Sequence, residues 1–363
     1  MKEQFGFIGL GLIGGSLARA LRETYPDCRI LAYSRKPELS PDIRGSVEAK
    51  VADEVVFSLD AFSGCDYIFL CAPVDKNIEY LPQLKEIITP NTIITDVGSV
   101  KSGIHAAAEK AGLSSNFIGG HPMTGSERTG FSNSNALLLE NAYYAVTMTE
   151  NVPKEQAERF LSLVKKVRSI PVLLTPKEHD DAVAAISHVP HIIAAQLVNL
   201  VRTSKDADTM RLLAAGGFKD ITRIASSSPT LWESILSANT DAVLTVLRRY
   251  ISLLTEAESA LSGADKETIR SLFSEAGEFR SSLQEHKGVL PESFVLHADL
   301  RDEAGAIATF ATILASHGIS MKNIGIVHNR AYEQGALRIE FYDRDSLERA
   351  FSLLSENHFS VYR

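Results

Sequence analysis

Three polar segments of this 363-residue chain bring together residue types that do chemistry, in places that do not read as core. In Gly119-Gly120-His121-Pro122-Met123-Thr124-Gly125-Ser126-Glu127, a histidine follows two glycines. A hydride leaving an alcohol carbon requires a base for the hydroxyl proton, and imidazole, titrating near 6.5, is the commonest one. His121 fits that role; the competing reading is a loop histidine satisfied by backbone groups. In Thr95-Asp96-Val97-Gly98-Ser99-Val100-Lys101, Ser99 could orient the His121 ring from a neighbouring strand end. The third segment, Ser187-His188-Val189-Pro190-His191, breaks an apolar helix. Pro190 frees a carbonyl and kinks the helix there, so polar groups such as His188 could line a cavity. No cysteine or further histidine has the spacing of a zinc site beside His188 and His191, and no metal is expected. A further break, Gly216-Gly217-Phe218-Lys219-Asp220-Ile221-Thr222-Arg223, offers Arg223 either as a bidentate clamp for a carboxylate or as a surface ion pair. Trp232, the single tryptophan, is core or a pocket wall.

A fourth motif concerns phosphate. Gly9-Leu10-Gly11-Leu12-Ile13-Gly14 follows the first apolar run directly and opens a helix. Gly9 permits the tight turn, Gly11 the approach of a pyrophosphate, and Gly14 close helix–strand packing. Helix-start N–H groups then face the phosphates. About 20 residues further on, where an NAD site usually carries Asp or Glu for the ribose 2′-hydroxyl, the chain has Tyr33-Ser34-Arg35-Lys36. A hydroxyl followed by two cations could accept a 2′-phosphate, favouring NADP; alternatively Arg35 only covers the adenine and Lys36 is solvated.

These motifs need elements to hold them. Short apolar runs at 5–8, 29–33, 67–71, 92–95, 117–118, 143–147 and 172–174 read as strands, alternating with helical spacing at 14–22, 78–88, 103–110 and 154–167. This predicts an α/β domain over 1–175, a parallel sheet covered on both faces, with the Ser99 and His121 loops at carboxyl ends of strands. From 176 to 288 the pattern becomes all-helical (178–203, 207–214, 231–240, 241–261), with broad apolar faces suited to dimerisation. Over 289–363 the order βαββαβ emerges from runs at 293–300, 305–317, 319–328, 336–342, 346–356 and 359–362, the split βαβ, ferredoxin-like α+β unit.

Composition narrows the function classes. Lys and Arg total 37 against 45 Asp and Glu, a net charge of −8, with no basic block, which argues against nucleic acid or an anionic membrane as partner. Three cysteines are too few for a disulfide framework. No uninterrupted apolar run approaches the roughly 18 residues of a membrane span, and the start lacks a signal-peptide core. A cytoplasmic location is expected.

Together the segments resemble the prephenate dehydrogenase family, the prephenate and arogenate dehydrogenases of tyrosine, hence aromatic amino acid, biosynthesis. The match runs from the Gly9–Gly14 turn through Asp96–Lys101, His121–Ser126, Glu178-His179-Asp180 and Ser187–His191 to Ala215–Ala225. The last 70 or so residues resemble an ACT domain, an amino-acid-binding regulatory module, at Asp302-Glu303-Ala304-Gly305, at Gly318-Ile319-Ser320-Met321-Lys322-Asn323-Ile324 and at Gly335–Ile339. Ala304 stands where such a turn usually has proline, which loosens the loop before Gly305.

The resemblance implies an enzyme performing oxidative decarboxylation of prephenate, an oxidoreductase using NAD, with NADP still open. His121 would take the ring-hydroxyl proton, Ser99 would orient it, and His188 would hold and polarise the substrate. Arg223 would anchor a carboxylate, with Ser227, Trp232, Gly216 and Lys219 near the pocket. Gly9, Gly11, Leu12, Ile13, Gly14, Ser34, Arg35, Ala72 and Pro73 would hold the dinucleotide. Asp302, Gly305, Asn323 and Ile324 would form the regulatory site, with tyrosine as the expected effector and a homodimer as the expected assembly. Arogenate dehydrogenase and a non-catalytic amino-acid sensor are the competing readings. A β-hydroxyacid dehydrogenase would need a catalytic lysine on the helix at 186–201, which has none.

Overall fold

The strands form because β-branched and aromatic residues buried on both faces cannot be satisfied on a half-exposed sheet. In order these are β1 (Gln4–Ile8), β2 (Arg29–Tyr33), β3 (Glu54–Val56), β4 (Tyr67–Leu70), β5 (Ile93–Asp96), β6 (Phe117–Pro122), β7 (Tyr143–Thr147) and β8 (Ile170–Leu174). The computed structural model describes residues 2–125, 128–285, 294–300, 303, 305–327, 335–357 and 359–362. Every residue of β4 and β5 is buried. Successive side chains feed opposite faces: Phe5, Phe7 and Phe69 join one apolar cluster, while Ile8, Ile68 and Leu70 join the other. Phe7 and Phe69 stack with centroids 4.9 Å apart.

The sheet order is β3-β2-β1-β4-β5-β6-β7-β8, so the direction of building reverses between β1 and β4, the place where open α/β sheets leave a crevice. Helices α1 (Leu12–Thr24), α2 (Pro41–Glu48), α3 (Val74–Lys85), α4 (Ser102–Lys110) and α5 (Lys154–Lys166) connect the strands. The expected all-parallel sheet needs one correction, because β7 pairs antiparallel with β6. Parallel pairing requires a crossover of a dozen or more residues, usually helical. Among its described residues, the link from β6 to β7 carries only two short 3₁₀ turns, Phe131–Asn133 and Ala136–Leu139. The edge strand β3 and helix α2 add to the expected elements.

The helical region comprises α6 (Pro176–Val183), a π-helical turn (Ala184–His188), α7 (Val189–Arg202), α8 (Ala207–Leu213), α9 (Gly216–Thr222), α10 (Pro229–Ala238), α11 (Thr240–Ser262) and α12 (Lys266–Glu285). Thr175 starts α6 through a capping box with Glu178. Pro176–Arg202 is one helical run of 27 residues, long and apolar enough by length and composition alone to cross a membrane, which counting uninterrupted apolar residues did not show. It also carries the buried polar residues His179, Asp180 and His188. Ala184 and Val189 pack on Val243 of α11, while Leu200, Leu212, Leu213 and Ile221 are exposed.

Packing divides the chain into one compact unit of residues 1–255 and a second of 256–363. In the second, β9 (Phe294–Leu300), α13 (Ala306–Ser316), β10 (Met321–Val327), β11 (Gly335–Phe341), α14 (Arg344–Glu356) and β12 (Val361–Tyr362) realise the expected βαββαβ order. Their sheet, β10-β11-β9-β12, is antiparallel throughout, over a core that includes Leu296, Phe310, Leu314, Ile339, Phe341 and Leu354. Gly305 caps α13 at φ +91°, and Asn323 and Ile324 are exposed on the edge strand β10. Asp302 and Ala304, like Ser126 and Glu127, lie outside the described residues.

Candidate active site

At the carboxyl end of β5, Asp96 is fully buried and forms an ion pair with the equally buried Lys101. The Lys101 ammonium also donates to the Gly120 carbonyl at 2.8 Å, and the Asp96 carboxylate accepts from Gly98 N at 2.9 Å and Gly120 N at 3.2 Å. Burial pushes the Lys101 ammonium down in pKa, and Asp96 opposes that shift. Such a pair adds little net stability, but removing one partner strands a buried charge at a cost of about 3–5 kcal/mol. Its effect here is geometric: it clamps the β5–α4 loop to β6 one residue before His121.

His121 is half-buried near the end of β6, and its Nδ1 lies 2.9 Å from His179 Nε2 on α6. His179 Nδ1 lies 2.8 Å from Asp180 Oδ1. The Asp180 carboxylate also accepts Lys101 N at 2.7 Å and Ser102 N at 2.8 Å, the first N–H groups of α4. Burial raises the Asp180 pKa, but hydrogen bonds from His179, Ser102 and Lys101 outweigh it and hold the group below its usual value. For His121, burial first and then the neighbouring His179, Lys101 and His188 press the pKa well below 6.5, against a weaker pull from Asp180. The imidazole is therefore neutral at physiological pH. Ser99 is half-buried in the loop after β5, and His121 Nδ1 is held by His179.

His188 ends the π-helical turn, 1% exposed. The wide turn accommodates Pro190 at the start of α7, and one-turn π-bulges are frequent at functional sites. Asn239 Nδ2 reaches both the Asp180 carbonyl, at 2.9 Å, and His188 Nδ1, at 3.2 Å. Burial lowers the His188 pKa to about 4. Trp232 on α10 lies edge-on to His188 at 5.9 Å and stacks on His191 at 3.8 Å, so it serves as a wall beside the histidines. Arg223 is exposed on the 3₁₀ turn after α9, and that turn and α9 pack on α7. Its charge contributes to lowering the His191 pKa, after burial as the main cause. Gly216 and Lys219 are exposed on α9, and the Ser227 hydroxyl donates to the Ile224 carbonyl at 2.8 Å.

At the other side of the crevice, Gly9 adopts φ +97°, and a Cβ built there would meet the Cys71 carbonyl carbon at 2.9 Å. A Cβ on Gly14 would lie 2.9 Å from that of Cys71, so the turn, α1 and β4 pack too closely for side chains. Gly11 differs, since a Cβ there meets nothing within 4 Å. This open cradle at the N-terminus of a 13-residue helix, with Leu12, Ile13 and Gly14 in its first turn, fits a dinucleotide pyrophosphate. Ser34 is buried and its hydroxyl donates to the Lys36 carbonyl at 2.8 Å, while Arg35 is exposed. Ala72 N is held by Asn77 Oδ1 at 3.2 Å, and Pro73 caps α3. Among the described residues, no three His, Cys, Asp or Glu side chains converge as metal ligands.

The prephenate dehydrogenase nucleotide-binding domain model matches residues 17–170, and the prephenate dehydrogenase dimerization domain model matches 175–275. A curated prephenate dehydrogenase from Bacillus subtilis is 34% identical over 355 residues, 96% of this chain and 95% of that protein. This chain belongs to the prephenate dehydrogenase family. Arogenate dehydrogenase from Synechocystis superposes with a TM-score of 0.70 at 31% identity, over 77% of this chain and 99% of that one. Prephenate dehydrogenase from Aquifex aeolicus, in complex with hydroxyphenyl propionate and NAD+, superposes at 0.72 with 28% identity, over 78% and 99%. The protein is thus an NAD(P)-dependent oxidoreductase of the prephenate, arogenate and cyclohexadienyl dehydrogenase group.

Sequence reasoning placed His179 and Asp180 in a matching motif without a role, and it passed over Lys101 and Asn239 as site residues. No spacing rule links positions 121, 180 and 239; only their buried, hydrogen-bonding residue types could have marked them. The open cradle makes a clean test. Gly11→Val should change stability by less than about 0.5 kcal/mol and lower dinucleotide affinity at least about tenfold. Calorimetric titration and thermal melting would check this, and unaltered affinity would remove Gly11 from the site.

Proposed function

We propose that this protein oxidises and decarboxylates prephenate to 4-hydroxyphenylpyruvate, with NAD as its cofactor, in tyrosine biosynthesis. The supporting observation is His121, a neutral imidazole anchored through Nδ1 at a strand end, whose Nε2 has no hydrogen-bond partner among the described residues and is the nitrogen offered to substrate. Prephenate is a cyclohexadiene with a ring carboxylate, a pyruvyl side chain and a hydroxyl on the opposite carbon. His121 accepts the hydroxyl proton, the carbinol carbon releases hydride, and loss of CO2 leaves an aromatic ring. When bound at the glycine-rich turn, NAD supplies the hydride acceptor. Aromatisation drives the reaction, so the chain's own residues chiefly position substrate and hold charge. Arg223 anchors a carboxylate, and His188 donates to the substrate. These groups are a cation and an N–H donor, which suits carboxylates and a keto oxygen better than the ammonium of arogenate.

A homodimer is supported by the match to a dimerization domain and by the exposed leucines of α7 and α8. The antiparallel βαββαβ unit supports an ACT-type regulatory domain binding an aromatic amino acid.

Absorbance at 340 nm with prephenate or arogenate and either NAD or NADP tests the assignment; silence with all four pairs would favour a sensor. His121→Asn should leave cofactor affinity intact and lower turnover by roughly 10²–10⁴-fold, and near-normal turnover would exclude His121 as base. Because protonation inactivates a base and this pKa lies well below 6.5, kcat/KM should stay level as pH falls through that value and decline only at lower pH. An inflection at or above it would contradict the electrostatic account. Arg223→Ala should raise substrate KM with little change in kcat; an unchanged KM would make Arg223 structural. Millimolar tyrosine should depress prephenate turnover, whereas unchanged kinetics would count against feedback control.

A further inference from the structure

We infer that Asp180 is a positioning residue that sets the proton placement of both site histidines, through His179 to His121 and through Asn239 to His188. The inference rests on the reading of His121 as the base.

An ionised carboxylate can only accept hydrogen bonds. Asp180 is 3% exposed and its oxygens already take Lys101 N and Ser102 N, so it remains the acceptor toward His179 Nδ1 as well. His179 turns its Nδ1–H toward Asp180, so Nε2 is the accepting side of that ring and the partner 2.9 Å away, His121 Nδ1, donates. His121 is thereby fixed with its proton on Nδ1 and a lone pair on Nε2. That is the tautomer a base needs.

The second limb starts from the carbonyl of the same residue. A carbonyl oxygen is also acceptor only, so Asn239 must turn its NH2 group toward the Asp180 carbonyl at 2.9 Å. The same nitrogen faces His188 Nδ1 at 3.2 Å and donates to it. The His188 proton then lies on Nε2, where it can be given to a substrate oxygen. One residue therefore prepares two neighbouring imidazoles in opposite states, an acceptor and a donor. Among the described residues, the charged and titratable groups acting on the two rings are the Lys101 ammonium, Asp180, His179, His191 and each other.

The full-length protein carrying ¹⁵N-histidine tests this in multiple-bond ¹H–¹⁵N spectra at pH 8, with the two signals identified by their loss in His121→Asn and His188→Asn. His121 should be protonated on Nδ1 and His188 on Nε2; either ring in the opposite form overturns the inference. His179→Leu, which removes the acceptor, should return His121 to the Nε2–H form. It should also lower kcat by roughly 10–100-fold, with KM and NAD affinity within about threefold. His179→Gln places a carbonyl oxygen close to the lost nitrogen and should recover most of kcat. Wild-type kcat in the leucine variant, or a glutamine variant as slow as it, refutes the positioning role. Should the leucine variant not fold, the wild-type spectrum and the glutamine variant still decide. Failure of the parent reading looks different: turnover would then survive in His121→Asn itself.

Discussion

A carboxylate removed from water must be met by donors on every side or become protonated. Asp180 is that group in this protein, and the donors meeting it come from different parts of the chain. Lys101 N and Ser102 N begin α4, and His179 belongs to α6. Satisfying Asp180 therefore docks the first helix of the helical region against the nucleotide-binding sheet. It does so at the strand end where His121 stands. Stability and site geometry share one set of hydrogen bonds.

Electrostatics around this contact favour uncharged histidines. Burial lowers the pKa of His188 to about 4, and that of His105, which meets the Thr147 hydroxyl at 2.8 Å, to about 4 as well. Lys101 sits among them as a fixed cation held by Asp96, and its charge further disfavours protonation of His121 and His105. The buried pair thus does more than clamp two strands. It assists burial in keeping His121 and His105 neutral, and for His121 that is the protonation state that proton abstraction demands.

The crevice joins this chemistry to the glycine-rich turn. Reversal of strand order between β1 and β4 opens it, and the close approach of Gly9 and Gly14 to Cys71 seats α1 so that its N-terminus faces the gap. The π-helical turn brings His188 to the same region without ending the long helix, so Trp232 and Asn239 on later elements can close around it.

Residue order alone determined the strands of the N-terminal region apart from the short edge strand β3, because runs such as Tyr67–Leu70 are apolar throughout and have no other stable fate than a buried sheet. It also determined the phosphate turn, whose glycines are dictated by local backbone sterics, and the βαββαβ order near the C-terminus. Local periodicity could not determine strand direction at β7, since pairing polarity depends on what the connecting segment can span. Nor could it determine which side chain holds His121. The partner of its Nδ1 comes from a helix 58 positions away. Hydrogen-bond partners across such distances are chosen by packing of whole elements, and that choice exists only once the chain has folded.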